Sequence, residues 1–323
     1  MRIISLQKFL QAVVLLPLLL TLCSWSNAGP LRERIREYRA AHQTQQADDL
    51  DDDDASTDVA LSAEVKVMRN IAYGQDKNQR FDVYLPAQAK NAPVIFMVHG
   101  GGWRRGDKAM KAVVQNKANR WVANGFIFIS TNYRMLPDAD VVLQAQDVAK
   151  AIAFAQSKAA SWNGDASKFI LIGHSAGAHL VALLSASPST AYQVGVRPWL
   201  GTVALDSAAF DVVQIMKKRH MRLYDQPFGT DPEYWRKVSP LHVLTADALP
   251  MLAVCSTRRS DSCAQAQGFV DKAKSLGVHA QKLGEDLTHK QINEQLGASG
   301  SYTDAVESFM ASLDDAIRHL LQR

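Results

Sequence analysis

Apolar, largely β-branched runs alternate with amphipathic stretches from residue 64 onward. Two of these runs, at 65–74 and 79–86, flank the turn residues Asp76, Lys77 and Asn78 and predict an antiparallel pair of strands. Six further runs predict buried strands at 92–99, 126–133, 168–173, 201–206, 251–256 and 278–283. The amphipathic stretches predict helices at 108–125, 147–161, 263–276 and 301–322. This alternation is typical of an α/β fold, in which helices cover both faces of a mostly parallel sheet.

The segment 210–248 interrupts this alternation with three prolines, several aromatic residues and short helical pieces. An insertion between two late strands can form a small cap over a functional site. It can equally be an irregular crossover connection. Both interpretations stay open at this point.

The N-terminal residues predict a secretory signal peptide over 1–28. A positive start, which includes Lys8, precedes a short apolar run at 12–22, and small or polar residues follow up to Ala28. A retained membrane anchor is the alternative, but about 20 uninterrupted apolar residues are needed to span a bilayer and Pro17 lies within the run. We therefore expect export to the periplasm or the medium, and no stable membrane span after cleavage.

Charge and composition divide the remainder of the chain. Residues 29–63 carry nine acidic residues against four arginines, and such repelling charges predict a flexible tether. The whole chain has a formal charge of +4, but its basic residues are scattered and match no nucleic-acid-binding motif, so we expect no nucleic-acid partner. With 323 residues, 47% of them hydrophobic, the chain suits one large domain over 64–323.

Three cysteines are present, and cleavage of the signal peptide removes Cys23. Lipid attachment at Cys23 is disfavoured because Leu22 precedes it where a small residue would be expected. The remaining pair, Cys255 and Cys263, predicts a disulfide in an oxidising compartment, with two free thiols as the alternative.

The run at 168–173 leads directly into Gly173-His174-Ser175-Ala176-Gly177, and a helix-like stretch follows. This is a G-x-S-x-G pattern in the strand-to-helix context in which a sharp turn exposes a serine hydroxyl. Ser175 is therefore the predicted nucleophile. A second pattern, HGGGW at 99–103, follows an earlier buried run, and glycines there leave backbone N–H groups accessible. The amides of Gly101, Gly102 and Ala176 are the predicted oxyanion hole.

A serine nucleophile needs a base and an acid. Of nine histidines, His289 follows the last predicted strand on what we expect to be a loop, as the order serine, acid, histidine requires. Asp261, after the run 251–256, is the predicted acid. Asp206, at the end of the run 201–206, is the rival, whereas Asp286 is too close to His289 in sequence.

Several motifs of this chain together resemble those of the esterase/lipase branch of the α/β-hydrolases. They are HGGGW, NYR at 132–134, GHSAGAHL and the late acid and histidine. That branch includes carboxylesterases, feruloyl or acetylxylan esterase-like enzymes and kynurenine formamidase-like enzymes. The resemblance covers about 65–323 and implies an α/β-hydrolase fold with neither a metal nor an organic cofactor. The acid-bearing segment, CSTRRSDSCAQAQ, departs from the family's usual G-x-x-D run.

These observations predict an exported serine hydrolase that cleaves a small-molecule carboxylic ester through a Ser-His-Asp triad and an acyl-enzyme. An amidase of the formamidase type would use the same residues. A non-catalytic binding module is the third hypothesis, because a fold alone does not establish a function. The sequence indicates neither the acyl chain length nor the oligomeric state.

Overall fold

The computed structural model describes residues 32–34, 36 and 56–322. The predicted signal peptide, 1–28, and most of the predicted tether, 29–63, lie outside the described residues. The chain divides into two units, residues 1–43 and residues 44–323. Residues 32–34 and 36 of the first unit are helical. The strands, the sheet and the other described helices belong to the second unit.

An eight-stranded sheet forms the centre of this unit, in the order β1-β2-β4-β3-β5-β6-β7-β8. Strands β1, β2 and β4 pair antiparallel, and all pairs from β4 to β8 are parallel. The predicted strands and the predicted mostly parallel sheet are confirmed. The strands are β1 Lys66–Ala72, β2 Arg80–Leu85, β3 Ala92–Val98, β4 Ile127–Thr131, β5 Gly164–His174, β6 Gly201–Leu205, β7 Met251–Ser256 and β8 Ala280–Glu285.

Helices connect the strands. The longer ones are α1 Lys111–Ala123, α2 Val141–Lys158, α3 Ala176–Ala186, α9 Ser262–Ser275, α10 His289–Gln295, α11 Ser301–Leu313 and α12 Asp315–Leu321. Short ones are α4 Ser189–Tyr192, α5 Val212–Met216, α6 Asp225–Phe228, α7 Pro232–Lys237 and α8 Pro240–Val243, with 3₁₀ turns at Ala159–Trp162 and Arg222–Tyr224. The single closing helix predicted over 301–322 is wrong. Asp314 divides it, because its backbone is extended and its carboxylate caps α12 at the amides of Ala316 and Ile317.

The core lies on both faces of the sheet, as the alternation along β3 illustrates. Val94, Phe96 and Val98 pack into the cluster that includes α2 and α3. Ile95 and Met97 point to the other face, against α1 and α11. Successive side chains of a strand point to opposite faces, so a strand covered by helices on both sides must be apolar throughout.

The carboxyl ends of the parallel strands meet at one edge of the sheet, where ligands bind in open α/β sheets. The HGGGW loop follows β3, Ser175 follows β5, Asp206 follows β6, and the segment with Arg259 follows β7. The topology therefore brings together segments that are far apart in sequence.

The folded part begins slightly before the predicted boundary at 64. The Lys111 amide donates to the carbonyl of Ser56 (2.7 Å), and the side chain of Asn119 donates to the carbonyl of Ala60 (2.8 Å). Residues 56–62 therefore lie along α1.

The predicted disulfide is present and links Cys255, at the end of β7, to Cys263, in the first turn of α9. It closes a loop over a sequence separation of eight, and this loop carries Arg259 and Asp261. Among the described helices, none has both the length and the hydropathy needed to cross a membrane.

Candidate active site

Ser175 sits at a sharp turn between β5 and α3, with φ 55° and ψ −118°. A positive φ is uncommon for a residue other than glycine. The two flanking glycines make the turn possible, because a Cβ on Gly177 would lie 2.3 Å from the Val98 carbonyl and one on Gly173 would lie 2.4 Å from the Gly177 carbonyl. The G-x-S-x-G prediction of an exposed serine at a strand-to-helix turn therefore has a steric basis.

The HGGGW loop lies directly against this turn. A Cβ on Gly100 would be 2.9 Å from the Cβ of Ser175. Gly101 and Gly102 have φ values of 106° and 60°, which side chains rarely adopt. Among the described residues, their N–H groups have no backbone acceptor in the loop, and the amide of Ala176 begins α3, where an N–H has no intrahelical partner. The loop that carries Gly101 and Gly102 thus adjoins the serine turn at Gly100, and the oxyanion role of the three amides stays a prediction.

Trp103 fixes the glycine loop to the neighbouring helix. Its Nε1–H donates to Nδ1 of His179 on α3 (3.1 Å), and Nε2–H of His179 donates to the carbonyl of Val238 (2.7 Å). Burial lowers the pKa of His179 to about 4, so the ring is neutral at physiological pH and can accept the indole proton. The indole also packs edge-on against Phe228 in the 210–248 segment. These contacts join the glycine loop, α3 and the 210–248 segment.

The NYR residues support the loop from the other side. Tyr133 stacks on the ring of His99 (4.7 Å between centroids) and donates to its carbonyl (3.2 Å). Nδ1–H of His99 donates to the Gly100 carbonyl (2.7 Å), and burial lowers the pKa of His99. Arg134 forms a two-point ion pair with Asp147. His99 and the NYR segment therefore shape the loop.

His289 is the first residue of α10, after the N-cap Thr288, and not on a loop as predicted. Its Nδ1–H donates to Oδ2 of Asp206 (2.6 Å). Nε2–H of His174, the neighbour of Ser175, donates to the His289 carbonyl (3.1 Å), and the two rings lie 4.5 Å apart. His289 is thus held between the serine turn and Asp206.

The structure places the carboxylate of Asp206, the rival candidate, at His289, whereas Asp261 was the predicted acid. Asp206 directly follows β6, the strand next to β5 in the sheet, so its side chain emerges beside the serine turn. Asp261 occupies the N-cap position of α9. Both residues satisfy the order serine, acid, histidine, and therefore chain order could not separate them.

Asp206 is fully buried and is surrounded by donors. Its Oδ1 accepts from the Ser256 amide (2.7 Å) and from the Ser262 hydroxyl, and its Oδ2 accepts from Arg259 (2.9 Å) as well as from His289. Burial raises the pKa of Asp206, but Arg259 and His289 outweigh it, and the pKa lies well below its ordinary value. The carboxylate is therefore ionised at neutral pH. Sequence reasoning missed both Ser262 and Arg259, and the only signal for them was the unusual acid-bearing segment.

A small cavity opens onto Ser175. Its lining includes Trp103, Asp206 and Arg259 from the sheet edge, and Leu223 and Tyr224 from the 210–248 segment. This segment therefore forms one wall of the cavity, which favours the cap interpretation over a plain crossover. A Cβ on Gly102 would lie 2.6 Å from Leu223, so the 210–248 segment lies directly against the glycine loop.

A protein family and several named proteins are similar to this chain. A family model described as BD-FAE matches residues 81–267. Esterase LipC of Mycobacterium tuberculosis is 26% identical over 227 residues, which are 64% of this chain and 55% of that protein. Kynurenine formamidase of Danio rerio is 26% identical over 241 residues, 72% of this chain and 77% of that one.

The fold has solved counterparts. Esterase B from Lactobacillus Rhamnosis superposes with a TM-score of 0.65 at 18% identity, covering 90% of this chain and 97% of that chain. At this identity the likeness concerns the fold alone, and it confirms the predicted α/β-hydrolase architecture. The chain spans about half the length, or less, of most curated relatives that it matches.

The buried His179 predicts a pH-dependent stability. The folded state keeps the imidazole neutral down to a pKa of about 4, whereas the unfolded chain binds a proton below about pH 6.5. Acidification therefore favours the unfolded state, and the free energy of unfolding should fall by about 2–3 kcal/mol between pH 7.5 and pH 4.5 through this group alone. Urea denaturation of wild type and His179→Gln measures the difference, which should be smaller in the variant.

The exposed His319 provides the matched control His319→Gln. An identical pH dependence of unfolding in wild type and His179→Gln would contradict the assignment of a neutral buried imidazole.

Proposed function

Because the chain belongs to the BD-FAE family of α/β-hydrolases, we propose that it hydrolyses carboxylic esters of small molecules. Ser175 is the nucleophile, His289 the base and Asp206 the acid of the triad. The observation that carries the proposal is the hydrogen bond of 2.6 Å between His289 and the buried Asp206, beside a serine on a turn with positive φ.

The reaction proceeds in two steps. Nε2 of His289 takes the proton of Ser175 as Oγ attacks the carbonyl carbon, while the amides of Gly101, Gly102 and Ala176 stabilise the oxyanion. The imidazolium then protonates the leaving alcohol, and an acyl-enzyme remains on Ser175. Water, deprotonated by His289, attacks this acyl group, and the proton passes from His289 to Oγ of Ser175 as the carboxylic acid product leaves. Asp206 holds Nδ1–H throughout and thereby keeps Nε2 directed at the serine.

Hydrolysis of an N-formyl aryl amide is the second candidate, favoured by the similarity to kynurenine formamidase of Danio rerio over most of both chains. The tetrahedral intermediate is the same, and only the leaving group differs. The ratio of kcat/KM for p-nitrophenyl acetate to that for an N-formyl aryl amide separates the two. A ratio below one would favour the amidase.

Replacement of the nucleophile is the direct test. Ser175→Ala removes the attacking oxygen, so we expect covalent labelling by a fluorophosphonate to disappear and ester turnover to fall by about 10⁴- to 10⁶-fold. Ser207→Ala is the matched control, since Ser207 lines the same cavity but its hydroxyl accepts from the Ala209 amide (3.2 Å). This control keeps the labelling. Turnover that survives in Ser175→Ala would refute the assignment.

The two candidate acids give a second test. Asp206→Asn removes the carboxylate that holds Nδ1–H of His289, so kcat should fall by about 10⁴-fold. Asp261→Asn should lose far less. Steady-state kinetics on p-nitrophenyl acetate measure both variants, and a larger loss from Asp261→Asn would return the role to that residue.

Export is proposed from the sequence of 1–28, and the disulfide between Cys255 and Cys263 supports an oxidising destination. The mature protein should begin at Gly29 in the periplasmic or extracellular fraction, with no thiol open to alkylation before reduction. Mass spectrometry of that fraction measures both properties. An intact N-terminus, or two alkylated cysteines without reductant, would contradict the proposal.

A further inference from the structure

A buried arginine lies inside the candidate triad. Nη1 of Arg259 is 2.9 Å from Oδ2 of Asp206, 3.2 Å from its carbonyl oxygen and 2.8 Å from Nδ1 of His289. The side chain is only 5% exposed. It comes from the segment after β7 that departs from the usual family sequence.

The geometry leaves one productive arrangement of protons. Nε2 of His289 must be free to accept from Ser175, so Nδ1 carries the hydrogen and donates it to Oδ2 of Asp206. Arg259 then donates to the same carboxylate oxygen and to the Asp206 carbonyl, and its contact with Nδ1 is one between two donors. A fixed guanidinium at that position holds the carboxylate in place and puts a permanent positive charge beside the imidazole.

We propose that Arg259 is a positioning residue that fixes the Asp206 carboxylate and keeps His289 unprotonated in the resting enzyme, so that hydrolysis extends to acidic pH. This inference rests on the proposed function. In the resting state, one carboxylate is shared by a neutral imidazole and a guanidinium. A second proton on His289 would give two cations around a single anion, and a like charge within about 4–6 Å disfavours protonation.

Other charged or titratable groups near His289 are few among the described residues. His174 contacts it from β5 and Asp206 from β6, and Glu285 ends β8 on the preceding strand. Tyr302 of α11 donates to the Ile292 carbonyl of α10, and burial keeps the pKa of its hydroxyl well above its usual value. On α10 itself, Lys290 pairs with Glu294 (3.8 Å). Arg259 is a permanent cation in direct contact with the imidazole.

The disulfide makes the placement of Arg259 firm. The loop between Cys255 and Cys263 contains Arg259, and Ser262, one residue before the second cysteine, donates to the other oxygen of Asp206. Both oxygens of the acid are thus held by the same cross-linked loop. The neighbouring Arg258 points away, to Asp286 (2.8 Å), with 47% of its side chain exposed.

The test compares Arg259→Gln, which removes the charge, with Arg259→Lys, which keeps it, and with Arg258→Gln as the matched control. Two pH profiles are measured for each: kcat/KM on p-nitrophenyl acetate, and the NMR titration of the His289 ring in a Ser175→Ala background, assigned with His289→Gln. In Arg259→Gln, the pKa of the acidic limb of the kcat/KM profile and the pKa of the His289 ring should both rise by about one unit or more. Arg259→Lys should shift both far less, and Arg258→Gln should match wild type.

Unshifted profiles in Arg259→Gln, with a uniform loss of rate at every pH, would reduce Arg259 to a structural role and overturn the proposal. If Arg259→Gln does not fold, the titration of His289 in the Ser175→Ala protein decides, because a pKa at or above 6.5 would also overturn it. The NMR readout does not depend on turnover. Turnover that survives Ser175→Ala would refute the proposed nucleophile. If the titration of the His289 ring still shifted in Arg259→Gln, the coupling of Arg259 to His289 would stand.

Discussion

The carboxylate of Asp206 is the group on which the arrangement of this site depends. A fully buried anion is tolerated only where donors surround it, and here an amide, a hydroxyl, an imidazole and a guanidinium all converge on two oxygens. These donors come from β7, from the cross-linked loop after it and from the start of α10. Satisfying one charge therefore fixes the relative positions of three separate segments, and His289 is oriented as a result.

The parallel sheet supplies the scaffold for this convergence. Because β3, β5, β6 and β7 end at the same edge, the glycine loop, the serine turn, the acid and the arginine emerge side by side. The glycines then allow backbone approaches that any Cβ would prevent. Trp103 and His179 tie this edge to α3 and to the segment over the cavity. Rigidity at the site thus comes from packing and buried hydrogen bonds around it.

The sequence was sufficient for the parts that are local. Every strand was predictable from apolar runs, and Ser175 and the glycine loop from patterns whose strand context was visible. The choice between Asp206 and Asp261 was not predictable, since both follow strands and lie between the serine and the histidine in sequence. Only strand order decides, because β6 lies next to β5. Likewise the break at Asp314 depends on one capping carboxylate, and the contacts of Arg259 are entirely tertiary.

The backbone of Ser175 also limits how this position can change over evolution. With φ at 55°, the turn accommodates a side chain with a single heavy atom on its Cβ, whereas a β-branched residue would be a steric outlier there. Threonine offers the same hydroxyl but carries the extra methyl group at the branch point. The replacements that retain a nucleophile are thus those without a branch at Cβ, such as cysteine or aspartate, and the backbone of the turn limits which hydrolase chemistries can arise from this scaffold by point mutation.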